Sequence, residues 1–233
     1  MNHSKLHVAF ACAVLGIFAG ANTASAITVS PGDTVSLPGT TSAAESYLAG
    51  TVLQDELINF SLKADQSPNA ATITGTVQQR VVQEDITKTL DFYWRITSLS
   101  GGSLGYFRVG KFNSTVFDAN YRTDGLGDVG PTSIIRFKPG MGGATDDKAV
   151  NFNFTNSDSL DSLAAGQESY FLFLHTNATE YAKTAFFDIA SSGTYTLSQS
   201  FAAYTPAVPE PETYAMLMAG LGLMGVFARR RRT

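Results

Sequence analysis

Apolar and polar residues alternate with a period of two over most of the stretch from residue 27 to residue 208, and no long run keeps apolar residues at helical spacing. That pattern predicts β-structure. In segment 89–98, Leu90, Phe92, Trp94 and Ile96 fall on one face while Asp91, Tyr93, Arg95 and Thr97 fall on the other, so one face is expected in a core and the other in water. Val150, Phe152 and Phe154 alternate with Asn151, Asn153 and Thr155 in the same way, and the Thr- and Val-rich segment 71–83 reads as a third strand. Further strands are predicted at 51–63, 104–109, 133–138, 169–176, 184–189 and 194–201, with one helical turn within 157–165. Residues 170–174 are apolar at every position, which predicts a central strand covered on both faces.

Turn formers bound most of these runs, among them Ser100-Gly101-Gly102, Pro139-Gly140 and Ser191-Ser192-Gly193. Roughly eight to ten short strands without intervening helices suggest two packed sheets, because a single sheet of that size would leave an apolar face exposed. The expected fold is all-β, a two-sheet β-sandwich with a jelly-roll-like order as one option. It is flanked by an N-terminal signal peptide and a C-terminal transmembrane helix, dividing the chain into 1–26, 27–207 and 208–233.

The two ends differ from the body. Lys5, an apolar run over 8–19 and the small residues Ala24-Ser25-Ala26 make a signal peptide with cleavage expected between Ala26 and Ile27, placing Ala24 and Ala26 at the signal-peptidase site. The apolar run is shorter than the ~20 residues of a membrane span. Cys12, the one cysteine, lies inside it and would be lost on cleavage, so the mature body would have neither a disulfide nor a thiolate site.

At the other end, Val208-Pro209-Glu210-Pro211-Glu212-Thr213 precedes fifteen uncharged residues, 214–228, and then Arg229, Arg230, Arg231 and Arg232. Two prolines fix φ and remove donors, so the motif is expected to stand extended and clear of the domain. As a helix the apolar run spans about 22 Å, enough to cross a bilayer if the arginines snorkel or the bilayer thins. By the positive-inside rule the arginine cluster stays in the cytoplasm and the body faces outward, in agreement with the signal peptide.

This order of Pro209-Glu210-Pro211, the run beginning Glu212-Thr213-Tyr214-Ala215-Met216-Leu217 and the terminal Arg229 to Arg232 cluster resembles the PEP-CTERM sorting signal of Gram-negative bacteria. The same tail also carries the label of an ice-binding protein C-terminal segment, a name for the tail alone. The resemblance implies recognition by an exosortase, a membrane-embedded transpeptidase-like enzyme of exopolysaccharide-producing species. The chain would be its substrate, anchored in the inner membrane with a periplasmic domain and then delivered to the cell surface or matrix. It covers about 25 residues and leaves the chemistry of the domain open.

Residues 27–208 hold 11 Lys or Arg against 18 Asp or Glu, a net of −7, which argues against nucleic acid as a partner. His175 is the one histidine of the body, and with no Gly-x-Ser-x-Gly elbow it reads as a structural or surface residue; zinc held by several histidines is excluded by count. Asp124 and Asp128 flank Gly125-Leu126-Gly127, and with Asp118 or Asp146-Asp147 brought near they could gather around calcium. Their spacing departs from an EF-hand, and a solvated turn is the simpler reading. Trp94 shares a face with Phe92 and Ile96 and reads as core, whereas Tyr93, Tyr106 and Tyr121 are the candidates for stacking on sugar. The Asn-x-Ser/Thr triplets at Asn59, Asn113, Asn153 and Asn177 read as incidental. With no catalytic motif and no cofactor site, the expectation is a non-enzymatic structural or binding protein of the envelope or matrix. Its expected partners are signal peptidase, exosortase, the membrane and exopolysaccharide. A carbohydrate-binding module or carbohydrate-active enzyme on the same sandwich is the alternative.

Overall fold

The computed structural model describes residues 25–142, 144–155, 162–194, 196–207, 218–221 and 224. Twelve strands follow one another: β1 (Ile27–Thr28), β2 (Thr34–Ser36), β3 (Gly50–Lys63), β4 (Thr72–Glu84), β5 (Leu90–Ser100), β6 (Leu104–Gly110), β7 (Asp118–Arg122), β8 (Ser133–Arg136), β9 (Val150–Asn153), β10 (Phe171–His175), β11 (Tyr181–Ser191) and β12 (Phe201–Pro206). A front sheet runs β1-β7-β10-β5-β4-β3 and a back sheet β12-β11-β6-β9-β8-β2. Neighbouring strands pair antiparallel in both. Stretches such as β5 to β6 to β7 to β8 switch sheets at each connection, while β3-β4-β5 and β11-β12 stay within one.

Alternation explains the core. Leu90, Phe92, Trp94 and Ile96 of β5 turn inward to meet Phe107 and Val109 of β6, Phe152 of β9 and Phe187 and Ile189 of β11 in one cluster shared by both sheets. Rings set the spacing: Trp94 and Phe107 lie 5.9 Å apart, Phe107 and Phe187 stack at 5.4 Å, and Phe92 meets Phe112 edge-on at 5.3 Å. Each fully buried aromatic of this kind stabilises the fold by about 1.5–3 kcal/mol. Trp94 is therefore core, as its face predicts.

Arg136 lies deep inside. Arg136 is 1% exposed, and its guanidinium donates to the carbonyls of Val29 (3.0 Å), Thr115 (2.9 Å), Asp147 (3.1 Å) and Ser114 (3.2 Å) while lying 4.6 Å from the centre of the Phe117 ring. These partners offset the cost of taking the charge out of water and tie the segment after β1 to the 114–115 loop.

Several sequence expectations change. The outward face of β5 is not wet: Asp91, Tyr93 and Arg95 are all buried, Tyr93 beneath Leu48 of a distant segment, Asp91 against His175 and Arg95 against Glu168 and Phe171. The described residues of 194–200 form no strand, only a bridge at Leu197, and β12 starts at Phe201. The short strands β1, β2 and β7 and a 3-10 turn at Ser46–Leu48 have no counterpart in the sequence reading. Most of the helical turn expected within 157–165 lies outside the described residues, and Leu163 forms a bridge to Leu104. Residues 218–221 and 224 are helical, and among the described residues no helix is long and apolar enough to cross a membrane. The signal peptide up to Ala24, the motif Pro209, Glu210 and Pro211, most of the apolar tail and Arg229 to Arg232 lie outside the described residues.

Candidate functional site

The outward face of the front sheet carries the side chains with the most varied chemistry. Val82 from β4, Tyr93 from β5 and Phe171 and Phe173 from β10 form a second apolar cluster, closed by Leu48, with Tyr47 and Ala26 at its margin. Leu48 arrives on a strap, residues 39–49, that crosses the sheet. Gly39 donates its N–H to Asn120 Oδ1 at 2.9 Å, and Thr40 bonds the backbone of Tyr121 and Thr123. The 3-10 turn then drives Leu48 into the cluster. Arg122 of β7 locks the strap by donating to the Leu48 carbonyl at 3.1 Å.

Arg122 also grips Asp124 with Nε to Oδ1 at 2.8 Å and Nη2 to Oδ2 at 2.9 Å, and Ser42 adds its N–H (2.7 Å) and hydroxyl (2.6 Å) to Oδ2. The Arg122 guanidinium, against a burial cost and with help from Ser42, holds this carboxyl well below the usual carboxylate range. Beside the strap opens a hollow of about 580 Å³ whose lining includes Arg80, Tyr93, Arg122, Leu126 and Phe171. Arg80 lies 4.7 Å from the Phe171 ring centre and pairs with Asp55 at 2.8 Å, so the lining combines aromatic surface with arginines already neutralised by aspartates.

At the other end of the strap His175 faces Asp91 directly across β10 and β5. Nδ1 of His175 meets Asp91 Oδ1 at 2.7 Å, Tyr93 donates its hydroxyl to Oδ2 at 3.3 Å, and the Tyr47 ring covers the imidazole at 4.3 Å. Burial alone would lower the imidazole pKa, but the hydrogen bond and charge of Asp91, joined by Glu84 and Asp118, outweigh it and the net shift is upward. Burial raises the Asp91 carboxyl, with His175 opposing. The titrations of the two groups are coupled through this one contact. A base with its orienting acid is two parts of a nucleophilic triad, and among the described residues no serine hydroxyl hydrogen-bonds the ring.

The other sequence candidates separate. Asp128 accepts the Glu168 N–H at 3.1 Å, Asp146 accepts the Lys148 N–H and Asp147 pairs with Arg136, so these carboxylates serve turns and ion pairs. Among the described residues no three or more metal-ligating side chains gather. Tyr93 is buried, correcting its expected role as an exposed stacking surface; Tyr121 stacks on Tyr170 at 5.7 Å, and Tyr106 lines a separate hollow on the back sheet. Asn153 is buried within β9. Ala26 lies against the strap cluster and β1 begins at Ile27, the next residue. Sequence reasoning missed Tyr47, Leu48, Arg122 and Phe171; the one local signal was Tyr47-Leu48, an apolar pair in an otherwise polar and small-residue loop.

The last strand ends at Pro206, and the sequence beyond it carries the sorting chemistry. Proteins that present a folded β-domain ahead of such a tail form the class of exported, membrane-processed proteins. The family model of the PEP-CTERM protein-sorting motif matches residues 207–232, so the chain carries that sorting motif directly behind its β-domain. No curated protein and no solved structure matches the chain.

Proposed function

We propose that this chain is cut and released by an exosortase and supplies its β-sandwich to the cell envelope or extracellular matrix, where it has a structural or binding role in contact with exopolysaccharide. The sorting match at 207–232 carries the reading, because it begins one residue after β12 and so hangs the processing site directly from the folded domain. The signal-peptide pattern at Ala24 and Ala26 supports export with the body outside, and the arginine cluster supports the matching orientation of the tail. The acidic body supports a partner other than nucleic acid.

A binding role is favoured over glycoside hydrolysis by the lining of the front hollow. Hydrolysis needs two carboxyl groups facing one space, whereas Asp85 is the one acid on this lining and its arginines are held by Asp55 and Asp124. Removing residues 209–211 tests the sorting reading. In a host with its exosortase, the deletion is expected to abolish processing and leave full-length chain in the membrane, with the melting temperature of the domain unchanged. Processing that continues at the normal rate contradicts it.

A further inference from the structure

We propose that the outward face of the back sheet binds a neutral pyranose unit of a polysaccharide. The inference rests on the polysaccharide-contact reading above and names its site and ligand class. A hollow of about 550 Å³ opens there, a size suited to a small ligand. Its floor comes from three adjacent strands. Asp188 of β11, Arg108 of β6 and Asn151 of β9 lie side by side in register, and in the next row Ala190 stands beside Tyr106. Phe137, just after β8, Gly142 in the loop that follows, and Leu197, between β11 and β12, complete the lining.

The polar row has a defined appetite. Arg108 clamps the buried Asp188 carboxylate with Nε to Oδ1 at 2.9 Å and Nη2 to Oδ2 at 2.5 Å, while the arginine side chain itself remains about one-third exposed, at 35%. The pair is neutral as a unit, yet the guanidinium keeps further N–H donors beyond the two it spends on Asp188. Next to it, Asn151 Oδ1 is buried and has no hydrogen-bond partner. An unmatched buried acceptor costs roughly 1–3 kcal/mol; because Asn151 is itself partly exposed on the hollow's lining, rotation of its amide brings Oδ1 to a ligand donor that relieves this cost.

A hydroxyl is donor and acceptor at once, so vicinal hydroxyls can give a proton to Asn151 Oδ1 and accept one from Arg108. An anionic group gains little here, because Asp188 already neutralises the arginine. Tyr106, Phe137 and Leu197 offer the apolar surface that the C–H face of a pyranose needs. Polar row and apolar lining together therefore fit an uncharged sugar better than a uronate.

Calorimetric titration of the full chain in detergent tests this, using cellotetraose, mannotetraose and maltotetraose as neutral probes and tetragalacturonate as the acidic one. At least one neutral probe is expected to bind. Asn151→Ala should weaken that binding about tenfold through loss of a buried acceptor. Leu197→Trp, at a position 51% exposed and so tolerant of change, should block it while the melting temperature holds. Leu57→Ala, at an exposed position of β3 on the front sheet, should leave the affinity unchanged. Absence of binding by every neutral probe, or binding of tetragalacturonate alone, overturns the proposal. Neutral binding that survives both Asn151→Ala and Leu197→Trp overturns the site while leaving polysaccharide contact standing.

Discussion

Asp91 and His175 bring opposing demands into one buried contact. Each would lose charge on burial, and only their hydrogen bond, with Glu84, Asp118 and Tyr47 around it, keeps the imidazole protonated more readily than in water. The consequence for stability has a sign. With the folded pKa raised, the contribution is complete below the unfolded value of about 6.5 and is lost as pH rises through the folded value. Melting temperature is expected to fall as pH rises above about 6.5 in the wild type, and to fall less in His175→Asn; parallel profiles for the two would contradict the coupling. In the sequence, His175 was visible as a lone histidine after an apolar run. Its partner was not, because Asp91 sits in an alternating strand where every second residue reads as solvent-facing, and pairing across β5 and β10 joins residues far apart in the chain.

Strand faces were legible where alternation meets a single core. Leu90, Phe92, Trp94 and Ile96, and likewise Val150 and Phe152, point inward as the period of two requires. What alternation does not register is a second cover. Tyr93 reads as an outward residue and is outward, yet the 39–49 strap seals it through Leu48, and Phe173, on the strand expected to be covered on both faces, lies in the same cluster. Strands β1, β2 and β7 are two to five residues long and carry few large apolar side chains, so they leave little pattern. Segment 194–200 failed in the opposite sense: its apolar Leu197 is exposed, and Ser198 instead donates its hydroxyl to the next residue's carbonyl. The strap yields a prediction at this scale. Leu48→Ala removes its buried anchor at a cost of about 2–4 kcal/mol. Amide hydrogen exchange should therefore accelerate over 39–49 while β6 and β11 keep their protection, and equal loss of protection in those strands would show that the strap is no separate unit.

Across the whole molecule the two ends and the body tell one story from different physics. The sorting motif at 207–232 was open to sequence reasoning, since its residues follow one another along the chain. The hollows on the two sheets were closed to it, because each gathers side chains from strands and loops scattered over the fold. The central proposal is that this chain is exported with loss of the signal peptide at Ala26 and is then cut a second time near the sorting motif matched at 207–232. Intact-mass analysis of the released product from an exosortase-positive host tests it most directly. The account predicts a chain that begins at Ile27 and ends near Pro209 to Pro211, without Arg229 to Arg232; a product found in the cytosol with Met1 and all four arginines retained would contradict it.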